Sequence, residues 1–318
     1  PAAIESLEKF DDIFLILVGN QDEINSLMSD KIKNLEDTRY KILHTTEFIN
    51  MDDEIISAIR SKKKSSMRLG INAVKTKEAD ACVSAGNTGA LMALSKIILK
   101  TIPGIDRPAI CGSLPTKSGQ FHMLDLGANV ECSAKHLYQF SIMGSALVQS
   151  LELNNKPVIG LLNIGSEEFK GNDTIKAAGQ LISKSNLNYA GFVEGDDMFS
   201  GKFDVVVADG FAGNIALKSI EGVAKVISHF IKTEFTKNIF TKLSALVSLP
   251  VMKSVKQKVD PRKYNGASLV GLQGVVVKSH GGADSYAFSQ AINTAYYEVK
   301  NELLNKIESL IQTELSNE

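Results

Sequence analysis

Asp80-Ala-Cys-Val-Ser-Ala-Gly-Asn-Thr-Gly-Ala-Leu91 is the stretch on which the fold turns. Ala81 to Ser84 is a short β-prone run, and Ser84 to Gly89 is a glycine-bearing turn. From Ala90 on, Leu91, Leu94, Ile97 and Ile98 recur at helical spacing. Strand, tight loop, helix aims several backbone N–H groups and the positive end of a helix dipole at one spot. Such a spot holds anions, phosphate above all. Gly86 and Gly89 let the backbone bend and a ligand approach closely. Any α/β protein has turns of this kind, so the stretch alone defines a layout and not an activity.

The same layout repeats outward along the chain. Ile13–Val18, Pro157–Asn163, Phe203–Ala208 and Gly274–Lys278 are apolar runs of the sort buried on both faces of a parallel sheet. Tyr40–His44, Ala109–Ser113, Phe121–Leu126 and Phe192–Glu194 supply further strands. Helical patterns lie between them, at Pro1–Phe10, Asp22–Met28, Ile55–Ile59, Met67–Val74, Ala134–Leu151, from Thr174, and Ile215–Ile231. A last helix runs to about Leu315. This alternation predicts an α/β chain with a doubly wound, mostly parallel sheet, forming one domain over residues 1–318.

In such sheets ligands bind beyond the carboxyl ends of the strands. Polar residues gather there in Ser84–Gly89, Asp125–Glu131, Lys170–Asp173, Asp209–Asn214 and Lys278–Asp284. Structural duties compete for some of them. Asp173 or Thr174 would serve as a helix N-cap, and Asn129 as a turn residue. Ala85-Gly-Asn-Thr-Gly-Ala-Leu91 is echoed by Ala212-Gly-Asn-Ile-Ala-Leu217, so two helix starts are expected to clamp one anion from two sides.

Bulk properties exclude several classes. Of the 318 residues, 44% are hydrophobic and 22% charged, as in ordinary soluble domains. A formal net charge of −1 gives no case for nucleic acid. Cys82, Cys111 and Cys132 share no metal-ligand spacing and suit a reducing compartment, so neither metal nor cofactor is expected. No apolar run reaches the ~20 residues of a membrane span, and no signal peptide is expected. Gly-x-x-x-x-Gly-Lys-Ser/Thr is missing, which argues against an NTPase. The dinucleotide fingerprint lacks its leading glycine, and Asp106 sits in a Pro-flanked turn instead of at a strand end. With no Gly-x-Ser-x-Gly elbow either, a reaction in which bound phosphate itself attacks is consistent with the residues.

One segment departs from the pattern. Between His229 and Lys263 eight Lys and Arg face only Glu234 and Asp260. Phe235, Ile239, Leu243 and Leu246 or Val247 share a helical face. Pro250 is expected to break the helix, with Met252, Val255 and Val259 continuing the stripe beyond it. A basic amphipathic hairpin over 229–263 suits an anionic membrane or an acidic protein partner, while a helix pair at a dimer interface would look the same.

Together, the stretch from Asp80 to Leu91 with Pro103-Gly-Ile-Asp-Arg-Pro108, Leu126-Gly-Ala-Asn-Val130, Leu162-Asn-Ile-Gly165, Lys170-Gly-Asn-Asp173, Asp209-Gly-Phe-Ala-Gly-Asn214 and Val277-Lys-Ser-His-Gly281 resembles the bacterial phosphate acyltransferases. The resemblance spans about residues 67 to 290. It implies a homodimeric three-layer α/β/α enzyme of the isopropylmalate dehydrogenase and phosphotransacetylase type. The implied reaction moves a fatty acyl chain from acyl carrier protein to inorganic phosphate, for a membrane glycerol 3-phosphate acyltransferase to use in phospholipid synthesis. A cytoplasmic enzyme peripherally associated with the membrane is implied too. The family's usual opening strand and Asp-Ala-Met-Gly-Gly-Asp-x-Gly-Pro loop end where Pro1 stands. Ser166 replaces a commoner acid, and Phe169 a small polar residue.

That chemistry assigns expected roles. Ser84, Gly86, Asn87, Thr88 and Gly89 form the phosphate cradle. Asn214 and the backbone of Gly213 supply a second clamp or oxyanion donors. Lys170 is the first choice for neutralising charge and Lys278 the second. His280 is either a general acid/base or a loop hydrogen-bonder. Asp125, Asn129, Asn172, Asp173 and Asp209 support these groups. On the hairpin, Phe235, Leu243, Leu246, Val247, Lys253 and Lys256 form the membrane or partner surface. Two other functions share the residues: a phosphotransacetylase-like enzyme using acyl-CoA, and a non-catalytic binder of acyl carrier protein or membrane.

Overall fold

The computed structural model describes residues 1–28, 39–151 and 153–315. Helix α1 (Ala2–Lys9), strand β1 (Leu15–Gly19), helix α2 (Gln21–Met28) and strand β2 (Tyr40–His44) come first, then α3 (Ile55–Ser61) and α4 (Ser66–Lys75). They lead to β3 (Ala81–Ser84), α5 (Thr88–Leu99), β4 (Ala109–Pro115), β5 (Gln120–Leu124) and α6 (Ala134–Ser150). Next are β6 (Ile159–Leu162), α7 (Asp173–Ser183), β7 (Tyr189–Val193) and β8 (Val205–Val207). The chain closes with α8 (Gly210–Thr236), α9 (Ile239–Lys258), β9 (Ala267–Val270), β10 (Val275–Lys278), α10 (Ser285–Lys300) and α11 (Leu303–Leu315).

The main sheet has eight strands in the order β3-β10-β9-β4-β5-β8-β6-β7, while β1 and β2 pair in parallel on their own. Strand alternation sends neighbouring residues to opposite faces. In β4, Ala109 and Cys111 join the cluster covered by α6, α7 and α11, whereas Ile110 and Leu114 face the cluster beneath α8. In β10, Val275 and Val277 pack on α10, and Val276 on the cluster of α4 and α5. Helices therefore cover both faces, and the fold is a three-layer α/β/α arrangement with a mostly parallel sheet.

Two features of the sheet escaped the sequence. Strand β9 was not anticipated, and it runs antiparallel to both β10 and β4. β4 is in turn antiparallel to β5. Following the pairings, β3, β10 and β4 run one way, and β5, β8, β6 and β7 run the other. The carboxyl ends of the two sets leave the sheet at opposite edges.

Three expectations about helices are corrected. Pro250 does not break its helix; α9 runs through it. Proline removes one intrahelical bond, to the carbonyl four residues back, and on this exposed helix water can take that carbonyl. The first helix of the hairpin begins at Gly210, because Asp209 caps it there. The C-terminal helix is two helices, interrupted where Glu302 adopts φ 55°.

Candidate functional site

At one edge of the sheet β3 and β10 end side by side, with Ser84 opposite Lys278. The Ser279 N–H donates to the Ser84 carbonyl (2.9 Å), which ties the two exit loops together. Ser84 Oγ accepts from the Gly86 N–H (3.2 Å) and opens the turn. Asn87 then caps α5: its Oδ1 accepts from the Ala90 N–H (3.0 Å), and its Nδ2 donates to the Met51 carbonyl (2.9 Å). The glycines let neighbouring side chains close over the turn. A Cβ on Gly86 would lie 2.7 Å from the Met67 methyl, and one on Gly89 2.4 Å from the Ile55 Cδ1, so either side chain would have to shift.

The cap leaves a defined opening. Ala90 donates to the Asn87 side chain and Leu91 to the Asn87 carbonyl. Among the described residues the N–H groups of Thr88 and Gly89 have no acceptor, and Thr88 is exposed. Two free donors at the start of a twelve-residue helix are what an anion binds.

Lys278 stands next to them. Its side chain is buried, and its Nζ donates to the carbonyls of Ala85 (3.4 Å) and Ser279. Burial pushes the ammonium below its ordinary pKa. His280 is exposed, and its Nδ1 accepts from the Gly282 N–H (3.0 Å). In the neutral ring the proton therefore sits on Nε2, free to be donated outward.

The remaining expected residues lie on strands of the opposite direction. Asp125 is fully buried, and its carboxylate accepts five hydrogen bonds, all from its own neighbourhood. They come from the N–H of Ile110 (3.0 Å), Gly127 (3.2 Å), Ala128 (3.0 Å) and Asn129 (2.6 Å), and from Asn129 Nδ2 (2.9 Å). Asn129 also donates to the Pro108 carbonyl (2.8 Å). These two residues shape the loop after β5.

Helix α8 is pressed onto that loop. A Cβ on Gly213 would sit 2.0 Å from the Asp125 carbonyl oxygen, and one on Gly210 2.6 Å from that of Asn129. The Asp209 side chain caps the helix through the Ala212 N–H (2.7 Å), and its carbonyl accepts the Gly213 N–H (2.9 Å). The Gly213 amide is thus already taken and is no oxyanion donor. Asn214 is exposed and lies against Gly127.

The loop after β6 belongs to the same group, since β6 pairs with β8. Asn163 Nδ2 donates to the Lys170 carbonyl (3.1 Å), and Gly171, at φ 87°, turns the chain beside it. Lys170 Nζ rests 5.5 Å from the centre of the Phe169 ring. Asn172 caps α7 through the Ile175 N–H (2.9 Å), a role expected of Asp173 or Thr174. Asp173 itself is exposed and pairs with Lys176.

The expected residues thus form two groups. Ser84–Gly89, Lys278 and His280 share one edge, while Asp125, Asn129, Lys170, Asn172, Asp173, Asp209, Gly213 and Asn214 sit at ends of strands running the other way. Between the two groups, Met92 of α5 and Ala212 and Ala216 of α8 pack on one apolar cluster. The echoed Ala-Gly-Asn motifs are also not equivalent: Asn87 caps its helix, whereas Asn214 lies inside α8. Sequence reasoning missed Asn265, which bonds Ser279 and His280 (2.8 and 2.9 Å). Its only signal was a position between two strands, one of which was not foreseen.

The three-layer α/β/α fold is one that solved phosphotransacetylases share. A phosphotransacetylase from Streptococcus pyogenes matches with a TM-score of 0.60 over 91% of this chain and 85% of that one, at 17% identity, which is a likeness of fold. The chain belongs to the fatty acid synthesis protein family, whose model matches residues 1–306. A phosphate acyltransferase of Methylococcus capsulatus is 52% identical over 307 residues, covering 96% of this chain and 90% of that protein. One from Nitrosococcus oceani is 51% identical over 316 residues, covering 99% and 93%. The chain is an acyltransferase of the phosphate acyltransferase family, and acyl transfer to phosphate is the reaction supported for it.

Proposed function

We propose that this chain transfers a fatty acyl group from acyl carrier protein to inorganic phosphate, giving acyl phosphate for phospholipid synthesis. The observation that carries the phosphate half is the pair of open N–H donors at Thr88 and Gly89, beside the buried Lys278 ammonium. No carboxylate pairs with that ammonium among the described residues. A buried cation with only carbonyls for company favours an anion next to it. The fatty acyl half is supported by the family.

In this reading a phosphate oxygen attacks the thioester carbonyl, a C–O bond forms, and the C–S bond breaks. The thiolate leaves readily and takes its proton from water, while the His280 Nε2–H can donate a hydrogen bond to the departing sulfur. Helix N-terminus and lysine hold the phosphate against the carbonyl, and positioning of this kind contributes several kcal/mol. Lys170 and Asn214, across the sheet face, are read as groups on the acyl donor's side.

The α8–α9 hairpin supports the remaining partners. Among its described residues only Gly210 and Gly213 are buried, and Phe230, Phe240, Leu243, Leu246 and Val247 are exposed. Phe230, Ile231, Glu234 and Phe235 line an open hollow of about 330 Å³. An unpartnered surface this apolar supports a homodimer, and the basic residues around Lys253 support contact with an anionic membrane surface. The Lys256 side chain lies outside what the structure describes. No described helix is long and apolar enough to cross a membrane.

The test is to incubate the protein with phosphate and either acyl-ACP or acyl-CoA, trapping acyl phosphate as hydroxamate. Product from acyl-ACP is expected. Product from acyl-CoA alone would move the donor to the phosphotransacetylase type, and product from neither would refute the assignment.

A further inference from the structure

The segment that follows the hairpin grips the loop carrying Lys278 and His280. Asn265 uses all of its amide for this. Its two Nδ2 protons go to Ser279 Oγ (2.8 Å) and the Ala287 carbonyl (2.7 Å), and its Oδ1 accepts the His280 N–H (2.9 Å). Ser279 is fully buried, and its carbonyl receives the Lys278 ammonium. Asn265 cannot drift. Next to it Gly266 adopts φ 118°, where a Cβ would lie 2.9 Å from the Cα of Ala291 in α10. On its other side Arg262 binds Asp260 through Nη2 (2.7 Å) and Asp284, the cap of α10, through Nη1 (2.8 Å), and stacks on Tyr286.

A turn residue needs one such bond; Asn265 makes three, two to the exit loop of β10 and one to α10. We propose that Asn265 is a positioning residue of the transfer reaction, holding Ser279 and His280 so that the Lys278 ammonium and the His280 ring face the phosphate at the start of α5. The inference rests on the phosphate acyltransferase reading above. It acts through Ser279: when Asn265 releases the Ser279 hydroxyl, the carbonyl that holds Lys278 moves with it.

Asn265→Ala is the direct test, assayed in the full chain with inorganic phosphate and whichever acyl donor the parent uses. It is expected to lower kcat on the order of 100-fold, the scale of a misplacement of about 1 Å. KM for phosphate rises and KM for the acyl donor stays put, a split that general loosening would not produce. Amide exchange in the peptide covering 278–284 speeds up while that of β5 does not. Should N265A fold poorly, Ser279→Ala deletes one partner and leaves the other two bonds, and it is expected to give a smaller change in the same two constants. A folded N265A with parental kcat and phosphate KM overturns the inference alone. So does a loss that merely tracks the folded fraction, with no change in S279A. A parent that forms no hydroxamate from either donor overturns the functional assignment, and this inference with it.

Discussion

Asp125 and Lys278 are both buried charges, and the difference between them separates scaffold from site. Asp125 is saturated by five donors, so its charge is fully answered inside the protein. Among the described residues Lys278 has only main-chain carbonyls, so its charge is answered in part and a phosphate can complete it. Both were named from the sequence, but a residue type does not say how many of its hydrogen bonds the fold has already used. A third buried ionisable group, Glu298, sits on the inner face of α10 with a hydrogen bond from Ser268, and burial pushes its carboxyl up to about 8 from an ordinary 4.5. A raised folded pKa means stability that is complete below about 4.5 and lost as pH rises through about 8. Thermal melts should therefore show the parent losing stability between pH 5 and pH 9. Glu298→Gln should lose less, gaining on the parent at pH 9 relative to pH 5. His122, pushed down to about 4 by burial and bonded to Ser113, acts oppositely below about 6.5, so the parent-minus-variant difference isolates Glu298. Parallel melting curves at both pH values would show that Glu298 is ionised in the folded protein.

Among elements, α5 and α8 look alike in sequence and differ in what their first turns offer. At α5 the cap sits directly ahead of the helix and two N–H groups stay open. At α8 the glycines exist to bring backbone against the loop after β5, and the Gly210, Ala212 and Gly213 amides are all bonded. Gly213→Ala would drive a Cβ into the Asp125 carbonyl, so it should lower stability by about 2 kcal/mol or more in urea titrations. Gly222, further along the same helix, has nothing within 4 Å, and Gly222→Ala should raise stability by roughly 0.5–1 kcal/mol. Equal effects at the two positions would mean that the close approach at Gly213 is not as described. The helices, and most strands, were legible because hydrophobic period and caps are local. Strand β9 was not: Ala267–Val270 is short and lies directly behind a helical segment, and only its neighbours on both sides make it a strand.

For the whole molecule the hairpin is the open question. It leaves the three-layer body with its apolar residues uncovered, and its basic residues follow the same helices. Charge reversal at Lys253 and Lys256 together should weaken co-sedimentation with anionic liposomes, and added salt should weaken the parent's binding in the same way. Binding unchanged by the reversal would leave the apolar faces to a second copy of the chain, which sedimentation velocity would report as a dimer.

What the sequence determined by itself was the class of fold, through apolar strands alternating with amphipathic helices, and the strand–turn–helix layout at Ser84–Gly89, through glycine and cap residues a few positions apart. Both are short-range properties, set by backbone sterics and by which residues alternate. Only the tertiary structure decided which polar loops share an edge. Strand direction is fixed by pairing between segments far apart in the chain, and two antiparallel strands, β9 and β4, reverse it midway across the sheet. Parallel pairing of β3 with β10 joins Lys278 and His280 to the α5 start, the reversal separates Lys170 and Asn214 from it, and antiparallel β9 brings Asn265 to the loop it holds.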